Sequence, residues 1–318
     1  MNKYQKEYIQ KNIADEEEVL KEIKKVYRKA ESDISHKIAR LMKEMKRAKE
    51  SDIQSKIWQI KYQRALLKQV EDAINKINDY DSIMDYLEKC YECGWYGVLY
   101  DLEKQGIPLI LPIQQDQMAM AITKETKLTS GIYKKLGLDK KKLAREINFE
   151  ISRGIANGWS SFQVSKKIHD RCIIGRNRAS LIARTEGHRV LNTSSFNCQK
   201  EAQANGCKIT KQWDATLDGR TRWSHRMVDQ EIRNVDEPFS NGLMYPCDPN
   251  GSASEVCNCR CALLQRATWA LGQNDLDKLK ERAEYYKELD ETFNKDESFK
   301  DFEKRLKKIG AIQNEVKI

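Results

Sequence analysis

The first glycine of the chain is Gly94, and no proline precedes it. So long a run without either residue, built largely from Lys, Glu, Arg, Gln and aliphatic residues, has little choice but helix. Val19, Ile23, Val26, Ala30, Ile34, Ile38, Leu41, Met45 and Ala48 recur at spacings of three and four, which draws one apolar stripe along a helix. Ser51-Asp52 reads as a break or a new N-cap. Ile53, Ile57, Ile60, Leu67, Ala73 and Ile77 then continue the pattern. The spacing predicts helix over 15–78. Because the stripe needs a partner, a helical hairpin or short coiled coil fits better than one free helix. The charged fraction of 33%, against roughly a quarter in ordinary domains, agrees with long exposed helical faces.

The net charge is +9, from 57 basic and 48 acidic residues. That permits contact with nucleic acid or an acidic surface, but most of the charge is compensated, as on a solvated helical face. No leader-like apolar segment opens the chain. The longest apolar patch, Ile107 to Ile113, is short and interrupted by proline, so no membrane span is expected. A protein made in a cytoplasm would keep its nine cysteines reduced. Cys90 and Cys93 form a C-x-x-C pair with no second pair or histidine beside it, so two buried helix cysteines one turn apart are the simpler reading than zinc. The aromatic and glycine-bearing stretch around this pair is expected to cap or bend the helical part.

From Lys140 to Gln203 helix returns. Leu143, Ala144, Ile147, Ile151 and Ile155 share a face; Gly158 and Ser160 end that helix, with Ser161 available as the next cap. A short amphipathic helix around Val164 and Ile168 precedes a longer one that stops at Asn205-Gly206. The texture then changes. Lys208–Thr216 alternates like a half-buried strand, Leu217–Arg222 is a turn, Glu231–Phe239 is a candidate strand, and Asn241–Ser254 is loop. Glu255–Leu264 alternates strictly, which predicts a strand with Cys257, Cys259, Cys261 and Leu263 on one face. After Trp269 the tail reads as two charged helices, marked by Leu276, Leu279, Ala283, Tyr286 and Leu289, then by Phe299, Phe302, Leu306 and Ile309.

Four polar groups carry what chemistry there is. Thr185, Arg189 and Asn192 lie at i, i+4 and i+7 of a helix, with Arg184 and His188 on another face and Glu186 in reach of Arg189. Arg220 and Arg222 alternate around Thr221; their forks suit carboxylates or phosphates, and pairing with Glu186 and Asp214 is preferred over phosphate. His225 and Asp229 stand at i and i+4, so one helical turn would aim both the same way. Last are the cysteines: Cys257, Cys259 and Cys261, preceded by Cys247 in a loop. Thiolates and imidazole are the usual zinc donors, yet Cα atoms two residues apart in a strand are roughly 6.5–7 Å apart, wide for one ion unless the strand bends. Candidate ligands are His225, Cys259, Cys261 and Cys247; reduced core cysteines are the competing reading. No phosphate loop, H-E-x-x-H or G-x-S-x-G motif occurs.

In order, "ARTEGHRVLN", "WDATLDGRTRWSHRMVDQEIRNVDEPF", "YPCDP" and "NCRCAL" resemble the C-terminal domain of the phage Mu F-like minor head proteins, also called head morphogenesis proteins. The resemblance spans about 151–265. It marks Arg184, Thr185, Glu186, Arg189 and Asn192 on the helix; Trp213, Asp218, Arg220, Thr221, Arg222, His225 and Asp229 in the middle; and Pro246, Asn258, Cys259, Arg260 and Cys261 at the end. Gln230 stands where the family usually has glycine, and Cys257 where an aliphatic residue is expected. Some relatives carry a toxin domain after this region; the charged stretch after Gln265 is expected to be too short for one.

The expected fold is α+β: a helical region at 1–139, a small mixed Mu F-like domain at 140–268, and a charged helical tail at 269–318. The resemblance implies a structural minor head protein in the capsid interior, made in a bacterial host's cytoplasm. It would associate with the portal, through its helical stripes, and support procapsid assembly and DNA packaging or ejection, with scaffold, major capsid protein and genomic DNA as further partners. The only cofactor considered is a structural zinc. The competing class is a zinc- or cysteine-dependent hydrolase or nuclease centred on His225 and the Cys257–Cys261 strand.

Overall fold

The structure, a computed structural model, describes residues 1–47, 64–65, 67–123, 132–268 and 297–315. The Ser51-Asp52 break, Ala48, Ile53, Ile57, Ile60 and the first tail stripe (Leu276 to Leu289) lie outside the described residues. The helices are α1 (Lys3–Arg47), α2 (Tyr80–Lys104), α3 (Gln115–Thr123), α4 (Ile132–Ala156), α5 (Ser161–Ala204), the short α6 (Trp223–Met227) and α7 (Ala253–Val256), and α8 (Phe299–Glu315). Residues 67–75 are also helical. Three strands, β1 (Ile209–Asp214), β2 (Ile232–Asn234) and β3 (Ala262–Ala267), form one antiparallel sheet in the order β2-β1-β3. The chain is therefore mostly helical with a small sheet.

Contacts gather the chain into two compact units built from interleaved segments: Met1–Glu16, Asp85–Leu128 and Arg184–Ile318 in one, Glu17–Met84 and Thr129–Ala183 in the other. The sequence reading instead divides the chain consecutively, at 139 and 268. In the second unit the expected stripe is real: Val19, Ile23, Ala30, Ile34, Ile38 and Leu41 are buried. Its polar core contact is Asp79, which takes Lys140 Nζ at 2.7 Å and the Tyr27 hydroxyl at 3.2 Å. A Cβ on Gly175 would lie 2.9 Å from Leu143 Cδ2 and 3.0 Å from Tyr27 Cε1. Gly175 thus permits close packing without ending its helix. Helix α5 runs unbroken through this position, where two helices were expected. Its cap is Ser160, not Ser161: Ser160 N–H donates to Gln163 Oε1 at 2.8 Å and Gln163 N–H to Ser160 Oγ at 3.3 Å, a reciprocal capping box.

In the first unit α1 begins at Lys3, well before the expected start. Its buried face there is Gln5, Tyr8 and Asn12, at helical spacing but polar or aromatic, so a count of aliphatics misses it. The stretch around Cys90 does not bend the chain; it is the interior of α2. Cys90 and Cys93 are buried there, as the simpler reading held. Asn12 donates to Cys90 Sγ at 3.3 Å. The stop at Gly206 (φ +89°) is as expected, and Cys207 N–H donates to Ala202 O to close it.

Strand β1 is buried through Trp213 rather than half-buried, because it is the central strand. Trp213 pairs with Leu263 and Gln212 with Ile232 in register. Arg266 Nε donates to Gln212 Oε1 at 2.8 Å, and Gln212 Nε2 to Gln230 Oε1 at 2.8 Å, so long polar side chains close over its second face. On the first face Trp213 and Lys211 lie with Phe239. Only Ile232–Asn234 of the second candidate strand is extended.

Candidate functional site

The cysteine segment is not a strand until Ala262. Ser252 to Val256 make a helical turn, and Asn258 adopts φ +56°. Asparagine tolerates that left-handed conformation, so the chain turns there before entering β3. The alternation in C-N-C-R-C is therefore not a strand signal. Cys259 and Cys261 are buried, whereas Cys257, expected in the core, is half-exposed at the end of the turn. Val256 takes the core position instead.

The bend brings two thiols to one histidine. His225 sits on α6 and is 1% exposed. Its Nδ1 lies 3.6 Å from Cys259 Sγ and 3.4 Å from Cys261 Sγ. The three donor atoms all lie within 4.8 Å of one another. On the other side of the ring, Nε2 is 2.8 Å from Glu255 Oε2, which also accepts the Ser224 hydroxyl at 2.9 Å. Trp213 packs edge-on against the imidazole at 5.2 Å. Cys247 is fully buried at φ +66°, with Sγ 3.8 Å from the Cys259 carbonyl oxygen. A hydrogen bond with Cys247, then burial, pushes the Cys259 thiol well above its usual range. Cys259, then burial, does the same to Cys261.

The other signature residues brace this segment. Thr185 Oγ1 accepts Asn258 N–H at 3.2 Å. Asn192 Oδ1 accepts Leu263 N–H at 2.8 Å, and its Nδ2 donates to Cys261 O at 3.1 Å. Arg260 pairs with Asp218 at 2.6 Å. Arg222 donates to the carbonyl of Cys257. Thr221 closes the Asp218 turn through the Thr216 carbonyl, and the Thr216 hydroxyl donates to Arg260 O at 2.8 Å.

Two expected pairings fail. Glu186 pairs with Arg189 of its own helix, at 2.7 Å and with both buried, rather than with Arg220 or Arg222. Three residues of helix place those two side chains together at no cost in loop entropy, so Glu186 is taken. Arg220 is left exposed, 3.7 Å from Asp218. Asp229 does not join His225: α6 ends at Met227, and Asp229 instead accepts Ala215 N–H at 2.7 Å. The histidine's carboxylate partner is Glu255, which sequence reasoning missed, although it stands just before the cysteines. Lys211 was missed too. It is buried on the Trp213 face of β1, donates to Val235 O and Met244 O at 2.9 Å each, and lies over Phe196 and Phe239. Burial lowers its pKa to about 8.

Beside the cysteines opens a cleft of about 390 Å³ whose walls include Arg184, Arg220, Arg222, Arg260 and Cys259. Glu16 partly offsets this charge, accepting Arg184 Nε at 3.0 Å and lying 3.2 Å from His188 Nε2. Burial acts to raise the Glu16 carboxyl, but His188 and Arg184 outweigh it and hold it below the usual range.

Residues 145–264 match the family model described as phage Mu protein F like protein. Over 125 residues the chain is 37% identical to the minor head protein GP7 of Bacillus phage SPP1, covering 38% of this chain and 40% of that one. Over 274 residues it is 28% identical to the NAD(+)–arginine ADP-ribosyltransferase EFV of Enterococcus faecalis (strain ATCC 700802 / V583), covering 83% of this chain and 55% of that one. The chain thus spans about half the length of the curated relatives it matches. No solved structure matches it. The segment that matches the phage Mu protein F like family, residues 145–264, is the one that holds the histidine, the cysteines and the residues that brace them.

Proposed function

We propose that the protein is a structural minor head protein that associates with the portal inside the capsid and supports procapsid assembly. The similarity to a minor head protein carries this reading. The signature residues agree with it, since they serve the fold: Thr185, Asn192, Asp218 and Arg222 each hold backbone or an ion pair around 257–263. The expected docking through the helical stripe needs revision, because that stripe is buried within its own unit. Trp223 and Met227 are better contacts for a neighbour. They lie one turn apart on α6 and are 75% and 62% exposed, and exposed aromatic and Met side chains favour interfaces. Among the described residues no helix is long and apolar enough to cross a membrane.

A hydrolase centred on His225 is disfavoured by the burial of that histidine and of Cys259 and Cys261. Genomic DNA remains a secondary partner through the arginine cleft. The deciding experiment is co-expression with the portal protein of the same phage. Co-purification is expected, and Trp223→Ala should weaken it. No association at micromolar concentration overturns the reading, as would transfer of ADP-ribose from NAD(+) by the purified chain.

A further inference from the structure

We propose that His225, Cys259, Cys261 and Cys247 bind one zinc ion in a closed, structural Cys3His site. Three observations carry it. The first is distance. With Zn–N near 2.0–2.1 Å and Zn–S near 2.3 Å, a tetrahedral ion sets its nitrogen and sulfur ligands about 3.5 Å apart. The two N···S separations here are 3.6 and 3.4 Å.

The second is donor arithmetic. Both thiols aim at Nδ1, and a neutral imidazole offers one lone pair there, so it can accept from only one S–H. A cluster that merely packs would leave the second S–H to a neighbouring sulfur, a weaker acceptor than the ring nitrogen. One ion at the centre satisfies all three groups. The third is the carboxylate behind the ring. Glu255 Oε2 at 2.8 Å from Nε2 holds the proton there and leaves Nδ1 free, the arrangement that orients metal-bound histidines.

The fourth donor in this proposal is Cys247, which lies outside the three-residue cluster and would have to close onto it. It is a buried thiol beside Cys259, held in a left-handed conformation that costs a non-glycine residue energy. Ion binding releases the protons of the three thiols to solvent, while the imidazole stays neutral. The site then carries a net charge of minus one. Arg222 and Arg260, in the cleft whose wall Cys259 shares, suit that charge. Cys90 and Cys93 take no part: their contacts are Asn12 and the Tyr8 carbonyl.

The test uses the full chain, stripped with a chelator under reducing conditions and titrated with Co2+ and then Zn2+. One ion per chain is expected, with the thiolate-to-cobalt charge-transfer bands of a tetrahedral site. The double variant Cys259→Ser/Cys261→Ser should abolish those bands; Cys90→Ser and Cys257→Ser should not. Cys247→Ser should lower the charge-transfer intensity by about a third, since one thiolate of three is lost. Unchanged intensity would remove Cys247 from the site. If the serine variants do not fold, Glu255→Gln keeps every donor; its zinc affinity should drop about 10–100-fold. No metal uptake by the reduced wild-type chain, or affinity unmoved in Glu255→Gln, overturns the proposal. It stands or falls separately from the portal assignment, which these measurements do not touch.

Discussion

Asn192 is one side chain doing the work of a strand partner. It satisfies Leu263 N–H and Cys261 O where β3 begins, and it also donates to His188 O at 2.9 Å. Asn192→Ala would strand a buried donor and a buried acceptor. At about 1–3 kcal/mol for each, the expected loss is about 2–6 kcal/mol in urea unfolding; a loss within error of zero would show that water replaces the amide. Lys211 makes a second prediction. Its folded pKa of about 8 lies below its unfolded value, so across pH 8 to 10.5 the unfolded chain holds a proton that the folded chain has released. Stability from this residue therefore rises with pH over that window and is lost as pH falls through 8. Unfolding free energies of the wild type minus those of Lys211→Met should climb across the window; a flat difference would sink the idea. Spacing alone made part of this legible. Thr185 and Asn192 share a helix face, and both reach the cysteine segment. Lys211 shares the strand face of Trp213, so its burial was readable in principle. Glu255 was not, because a lone carboxylate next to cysteines carries no periodic signal and its partner is thirty residues away.

At the scale of elements, helices were readable wherever apolar residues repeat, and misread wherever the buried face is polar, aromatic or glycine. Helix α2 is the clearest instance. Gly94 looked like a bend, yet it marks a close approach: a Cβ there would lie 2.4 Å from the carbonyl oxygen of Leu191 on α5. Backbone cannot swing aside as a side-chain tip can. Gly94→Ala should force α2 off α5 and cost about 1–3 kcal/mol or more, the usual range for overpacking. Thermal melts of the variant check it, and an unchanged Tm would mean the helices have slack. The cap of α5 is a milder case. Ser160→Ala removes one half of the capping box and should cost about 1 kcal/mol, with Ser160→Gly costing less, measured in the same melts. The strand misreading at Cys257–Cys261 has a different origin. Period two was satisfied by alternating chemistry, but a single left-handed Asn258 redirects the chain, and no propensity scale separates that turn from a strand.

For the molecule as a whole, α+β character and the family resemblance of residues 145–264 were legible because long helical periodicity and a run of ordered motifs each span many residues. The interleaving of the two units was not, since it depends on which distant segments meet. Net charge was legible as a number but not as a surface, and that difference decides the DNA question. A net charge of +9 suggests a nucleic-acid binder. In the structure, however, the cleft arginines are largely spoken for. Arg184 holds Glu16, Arg260 holds Asp218, and Arg222 donates to a carbonyl. Arg220 is the most open of them, 83% exposed. Even if all four met phosphates, log K against log salt on duplex DNA would have a slope no steeper than about −4. We expect weak, sequence-independent binding within that limit. Arg220→Glu should flatten the slope by about one, because it removes one phosphate contact. A slope much steeper than this in the wild type, measured by titration between low and physiological salt, would mean that cations beyond the cleft engage the duplex. Genome binding would then rank beside portal association as a role for this chain.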